Sequence, residues 1–163
     1  TATGGGTAPG GGTATGGGGG GDIGGGAGGG TATGGDGLVA AFATPAAAIA
    51  AAGAMQMALD GYTGSDRSPH ELSVRVGIAS GEVVLDTDGC PFLGAALNLA
   101  ARVMDLADGG RVMMTGEVAD GASSPATRLH AHGDFKLKNI AEAVPVVELL
   151  WRDTMTPQEI RAS

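Results

Sequence analysis

Glycine is distributed so unevenly along this chain that it divides the sequence before any motif is considered. Of its 33 glycines, 21 fall in residues 1–37, a stretch whose only charges are Asp22 and Asp36. The unit TATGG recurs there at Thr1, Thr13 and Thr31, separated by glycine runs. Glycine loses more backbone freedom on ordering than any other residue, and apart from Ile23 nothing of size is available to bury. Residues 1–35 are therefore expected to form a flexible low-complexity segment. Its many GxGxx matches carry no weight as a phosphate loop. A polyglycine tract produces them by chance, without the preceding strand and following helix such a loop needs.

Globular character begins at residue 36, leaving about 125 residues, enough for one stable core with little margin. GLVAAF, residues 37–42, reads as a short apolar strand. Thr44 and Pro45 then supply an N-cap and an N1 proline for an Ala/Met-rich helix to about Leu59, stopped by Gly61. Residues 62–69 read as a polar loop. Leu72, Val74, Val76 and Ile78 alternate with Ser73 and Arg75, the pattern of a half-buried strand. Ser80-Gly81 turns the chain into a second strand over 82–85, and 86–89 is another turn. A helix is expected from Ala95 to about Leu106, with Leu97, Ala101 and Met104 as its buried stripe. A strand over 111–115, a short helix over 116–120 and strands over 130–137 and 144–149 follow, with a polar tail after 151. The fold class is α+β, helices over a mainly antiparallel sheet.

The formal charge of −8 gives no basic face for nucleic acid or an anionic membrane, so neither is expected as a partner. A single cysteine, Cys90, excludes an intrachain disulfide and suits a reducing compartment. No apolar run is long enough to span a bilayer, and the first residues lack the basic and apolar regions of a secretory signal. The expectation is a cytoplasmic protein without a membrane segment.

Several residues could carry chemistry. Asn98 and Arg102 stand four apart, so an amide and a guanidinium share one helix face. Arg suits a phosphate through its planar fork of donors, although an ordinary solvated face has the same spacing. Asp36, between two glycines, is either a ligand for a hard divalent cation or a turn residue. Lys136 and Lys138 alternate with Phe135 and Leu137 on one strand face, as a phosphate contact or as a solvated edge. His130 and His132 share a strand face, but two ligands are too few for zinc and no third stands nearby in sequence. Cys90 has no sequence neighbour that would lower its pKa, which argues against a nucleophile.

Four blocks in order resemble the class III adenylate/guanylate cyclase catalytic domain. GDGLVAAF resembles the GDG hairpin with its second metal aspartate, here Asp36. LSVRVGIASGEVV resembles the R-x-G-I-x-x-G-x-V strand-turn-strand, with Arg75, Gly77, Ile78, Gly81 and Val83 in place. GAALNLAARVM resembles the G-x-x-V-N-x-A-A-R helix, and FKLKNIAEAVPVVEL the closing L-K-G-I-x-x-P-V segment.

The resemblance implies conversion of ATP, or GTP, into a 3′,5′-cyclic nucleotide and pyrophosphate in signal transduction. It implies Mg²⁺ or Mn²⁺ on Asp22 and Asp36, Asn98 and Arg102 at the transition-state positions, and Lys138 as a substrate-binding lysine. It also implies a head-to-tail homodimer whose aspartates face the partner's Asn and Arg. Only 14 positions separate Asp22 from Asp36, whereas two helices of average length need roughly 22 residues. The expected fold is thus a ferredoxin-like cyclase sandwich over residues 36–151, lacking a normal first strand and two helices. The two purine-specifying positions correspond to Ala32 and Pro91. The alternative function is a catalytically inactive cyclase-homology module serving in dimerisation or regulation.

Overall fold

The computed structural model describes residues 12–17, 31–34, 37–63, 73–85, 91–122 and 124–160. Asp22, Asp36, Cys90 and the turn expected at 86–89 lie outside the described residues.

The principal element is a seven-stranded sheet in the order β2-β3-β1-β4-β7-β9-β8. Its members are β1 (Gly12–Gly17), β2 (Thr31–Gly34), β3 (Gly37–Ala41), β4 (Arg75–Ser80), β7 (Val112–Thr115), β8 (Leu129–Lys136) and β9 (Ala143–Leu149). All neighbouring pairs are antiparallel except β4 and β7. The helices are α1 (Pro45–Thr63), α2 (Ala95–Met104) and α3 (Gly116–Gly121).

The expectation of a structureless N-terminal segment and a missing first strand is corrected here. Gly12–Gly17 forms β1 and lies inside the sheet, hydrogen-bonded to β3 on one side and β4 on the other. Composition argued against it because side chains too small to bury supply little driving force. The ladder, however, is made by backbone N–H and C=O groups, and a strand paired along both edges satisfies them whatever its side chains. Thr31–Gly34 likewise forms β2, paired with β3. Residues 18–30, where the two family helices would fall, lie outside the described residues.

Two apolar clusters fill the two faces of the sheet. Beneath α1 and α3, Ala48, Ile49 and Ala52 meet Val76, Ile78, Val112, Met114 and Val118. On the other face, Val103 and Ala107 of the α2 region meet Met113, Leu137 and Val146. Met113 and its neighbours Val112 and Met114 thus point to opposite faces, as the period of a strand requires. The same holds for β4: Gly77 and Ala79 are buried as well as Val76 and Ile78. The expected alternation holds at Ser73 to Val76, where Ser73 and Arg75 are exposed, and from Gly77 onward the strand is covered on both faces, as befits a central strand next to a parallel partner.

Thr44 caps α1 as expected, accepting from the Ala47 amide at 3.2 Å. The helix runs through Gly61 to Thr63, because an isolated glycine lowers helix propensity without ending it. Gln56, buried in α1, donates to the Val74 carbonyl at 2.8 Å and ties the helix to the entry of β4. The strand expected over 82–85 is reduced to β5 (Val84–Leu85), which pairs with β6 (Pro91–Leu93) in a separate two-stranded sheet and not with β4. Residues 152–160 carry no helix or strand, yet Ile160 packs against the cluster beneath α2.

Candidate functional site

α2 is placed by two glycines. A Cβ on Gly77 of β4 would stand 2.1 Å from the Ala100 carbonyl oxygen and 2.6 Å from the Met104 nitrogen. The helix backbone therefore rests directly on the strand backbone. Gly94, preceding the helix, has φ of 150° and would place a Cβ 2.4 Å from the Glu82 carbonyl oxygen. Only glycine combines that conformation with that approach.

This seating decides which face of α2 is solvated. The buried residues are Ala96, Ala100 and Val103, with Leu97, Ala101 and Met104 only partly covered. The expected stripe is thus rotated by one residue. Both sets have the i, i+4, i+7 spacing, and the approach of Gly77 to the Ala100 carbonyl accompanies burial of the first set. Asn98 is exposed, and the Arg102 side chain retains 36% of its accessible surface. Within the chain Arg102 meets Asp105 at 3.3 Å, an exposed pair one helical turn on. Such a pair contributes little and yields easily to a better anion.

Lys138 is exposed and lies beyond β8, in the turn that leads to β9, so it does not share a strand face with Lys136. The Ile140 amide donates to the Leu137 carbonyl at 3.1 Å, and Asn139 takes φ of 63°, a conformation that asparagine tolerates. Leu137 and Ile140, on either side of Lys138, belong to the same apolar cluster as Leu99 and Val103. Those two residues follow Asn98 and Arg102 directly. Asn98, Arg102 and Lys138 are thus each next in sequence to a member of that cluster. Lys136 instead donates to the Ala141 carbonyl within the hairpin.

The two aspartates lie outside the described residues, and the nearest described strand ends are those of β1, β2 and β3. Gly17, the last residue of β1, is in register with Gly37, and Gly37 is in register with Gly34. The chain toward Asp22 therefore leaves the sheet at the end where the residue after Asp36 enters it. Among the described residues there is no group of three or more His, Cys, Asp or Glu able to hold a metal ion. Ala32 and Pro91 lie on β2 and β6.

Sequence reasoning missed Glu148. It is fully buried on β9, 2.8 Å from Arg111 Nη1 and 2.8 Å from His132 Nε2. Its Oε2 also accepts from the Gln158 amide at 2.8 Å. His132 reaches it from a bulge between Ala131 and Gly133, which re-aims the ring across the strand pair. His130 stands edge-on to His132, 4.9 Å between centroids. One nitrogen of the His132 imidazole is thus committed to a carboxylate. The available signal was a lone charge within VPVVELL, since a carboxylate in an apolar strand demands partners.

A cleft of about 250 Å³ lies on the α1 side, lined in part by Gln56, Asp60, Gly110, Trp151 and Arg152. Arg152 grips both oxygens of Asp60 at 2.9 and 3.0 Å, and the Trp151 indole donates to the Gly110 carbonyl. These contacts join α1 to the end of β9. No helix among the described residues is long and apolar enough to cross a membrane.

Residues 31–149 match the adenylate and guanylate cyclase catalytic domain family. Among solved structures, the chain is similar to an adenylate/guanylate cyclase/hydrolase from Silicibacter pomeroyi, with 30% identity, 78% of this chain and 75% of that one covered, and a TM-score of 0.65. Adenylate cyclases from Trypanosoma brucei, in their monomeric state, share the fold at 24% identity, covering 80% of this chain and 73% of theirs, with a TM-score of 0.64. The protein Rv1359 of Mycobacterium tuberculosis is 41% identical over 85 residues, which are 52% of this chain and 30% of that protein. The strand and helix order, the seating of α2 on Gly77 and the match over residues 31–149 together lead to one conclusion: the chain belongs to the adenylate and guanylate cyclase catalytic domain family.

Proposed function

We propose that this domain converts ATP into 3′,5′-cyclic AMP and pyrophosphate as a head-to-tail homodimer in cytoplasmic signal transduction. The observation that carries the reading is the outward face of α2. Asn98 is exposed and Arg102 is partly exposed in a weak pair with Asp105, while the Ala96/Ala100/Val103 stripe is buried, so both side chains can be reached by a second subunit.

In this reading the ribose 3′-hydroxyl attacks the α-phosphorus, the bond to the β-phosphate oxygen breaks, pyrophosphate departs and the hydroxyl proton leaves to solvent. Arg102 donates to the α-phosphoryl oxygens as charge gathers on them, through a fork that stays protonated throughout. Asn98 orients the ribose, and Lys138 binds the polyphosphate as a point charge. Asp22 and Asp36 are hard oxygen donors of the kind Mg²⁺ and Mn²⁺ prefer. A divalent ion bound there supplies activation of the hydroxyl and neutralises the triphosphate.

A second reading has its own motive. With Ala32 and Pro91 at the purine positions, a catalytically inactive module serving in dimerisation or regulation is the alternative. Cyclic AMP formation from ATP and Mn²⁺ decides between them. Product from the purified chain, lost in Asn98→Ala and in Asp36→Ala, supports the enzyme. A chain that forms dimers and no product supports the module.

A further inference from the structure

The segment after Trp151 was expected to be a polar tail, but its hydrogen bonds reach across the molecule. Gln158 Nε2 donates to the Leu106 carbonyl at 2.9 Å, and Gln158 Oε1 accepts from the Asp108 amide at 2.9 Å. One side-chain amide therefore satisfies both a carbonyl and an N–H in the turn that ends α2. The last carbonyls of a helix have no partner within it, so a group that supplies one fixes where the helix end sits. That turn is otherwise held by local bonds, from the Leu106 amide to Val103 and from the Ala107 amide to Met104.

Gln158 is itself anchored to the sheet. Its backbone amide donates to Glu148, which Arg111 and His132 also hold. Arg111 donates in addition to the Thr156 carbonyl at 2.7 Å. Beyond the clamp, Ile160 packs against the cluster that contains Val103 and Ala107. A continuous mechanical path thus runs from buried Glu148 on β9, through the backbone and side chain of Gln158, to the end of the helix bearing Asn98 and Arg102. Elsewhere α2 is held by its close approach to Gly77, by the Gly94 turn before it and by Val103 in the apolar cluster, all of which precede the turn that Gln158 holds.

Resting on the cyclase reading above, we infer that Gln158 is a positioning residue for the cyclisation, setting α2 so that Arg102 meets the transition state. Arg102 lies one turn before Leu106, and displacing a positioned group by about 1 Å can cost up to about a hundredfold in rate. The effect falls on kcat, because the interaction that is lost forms as charge develops.

The test compares the wild-type chain with Gln158→Ala and Gln158→Glu, by amide hydrogen exchange and by turnover of ATP with Mn²⁺. Gln158→Ala keeps the backbone bond to Glu148 and removes only the clamp, and Gln158→Glu keeps the acceptor for Asp108 while losing the donor to Leu106. The expected result for Gln158→Ala is exchange raised about tenfold at residues 102–108, unchanged protection of β7 and β9, and kcat about tenfold lower with KM within about twofold. Gln158→Glu is expected to fall between the two. Raised exchange with unaltered kcat would reduce the strap to a structural brace and overturn the inference, as would exchange raised equally throughout the chain. A wild-type chain that makes no product sinks the cyclase reading separately. In that case exchange raised only at 102–108 still upholds the clamp, and unchanged exchange there defeats it.

Discussion

Glu148 shows how a single residue can organise distant segments. A carboxylate with no exposed surface is stable only while its partners remain, and its partners come from β7's entry, the β8 bulge and the C-terminal strap. Removing it strands the Arg111 guanidinium, the His132 ring and the Gln158 amide together. Glu148→Ala is expected to lower stability by about 3 kcal/mol, read as a shift of the urea midpoint. Asn98 and Arg102 make the opposite case. They lie on the solvated face of α2, so Asn98→Ala and Arg102→Ala should leave the urea midpoint nearly unchanged. Each should lower cyclic AMP formation by about a hundredfold or more, measured by chromatography of the product. A large loss of stability in either variant would assign the residue to the fold.

At the scale of elements, the decisive contact is α2 on β4. The backbones approach so closely at Gly77 that even one methyl group has no room, for it would meet the Ala100 carbonyl oxygen, the Met104 nitrogen and the Met104 Cβ. Gly77→Ala is expected to destabilise the domain by about 2–3 kcal/mol and to lower activity further by lifting α2 from the sheet. Urea unfolding and turnover measured on the same samples check both parts. Retained stability with retained activity would mean that the helix tolerates another seat. β1 makes a related point, since both α1 and α2 lie close to it. Its ladder rests on backbone groups, which is why its side chains gave no sign of it.

At the scale of the whole molecule, the proposed sites are shared between subunits, and symmetry makes this testable. In a head-to-tail dimer each site takes its aspartates from one chain and its Asn and Arg from the other. Asp36→Ala and Arg102→Ala chains, each inactive alone, should therefore form mixed dimers with one intact site of two. Random mixing in equal amounts should restore roughly a quarter of wild-type activity, a consequence of the two-fold symmetry. No recovery, with mixed dimers demonstrated by mass, would place Asp36 and Arg102 in the same subunit's site.

The sequence by itself determined the elements after residue 36 that have strong local signals. The Thr44-Pro45 helix start, the short helix after Thr115 and the paired strands at the end follow from capping chemistry and apolar periodicity, which act within a few residues. It also determined that Asn98 and Arg102 share a face, because their spacing alone requires it. Only the tertiary structure decided which α2 residues are buried, since both alanine-containing stripes are periodic and the backbone contact at Gly77 chooses between them. It decided, too, that Gly12–Gly17 lies between β3 and β4, and that the tail returns to Glu148 and the end of α2. Those pairings join residues far apart in the chain through hydrogen-bonding groups that every residue carries, and so no local pattern announces them.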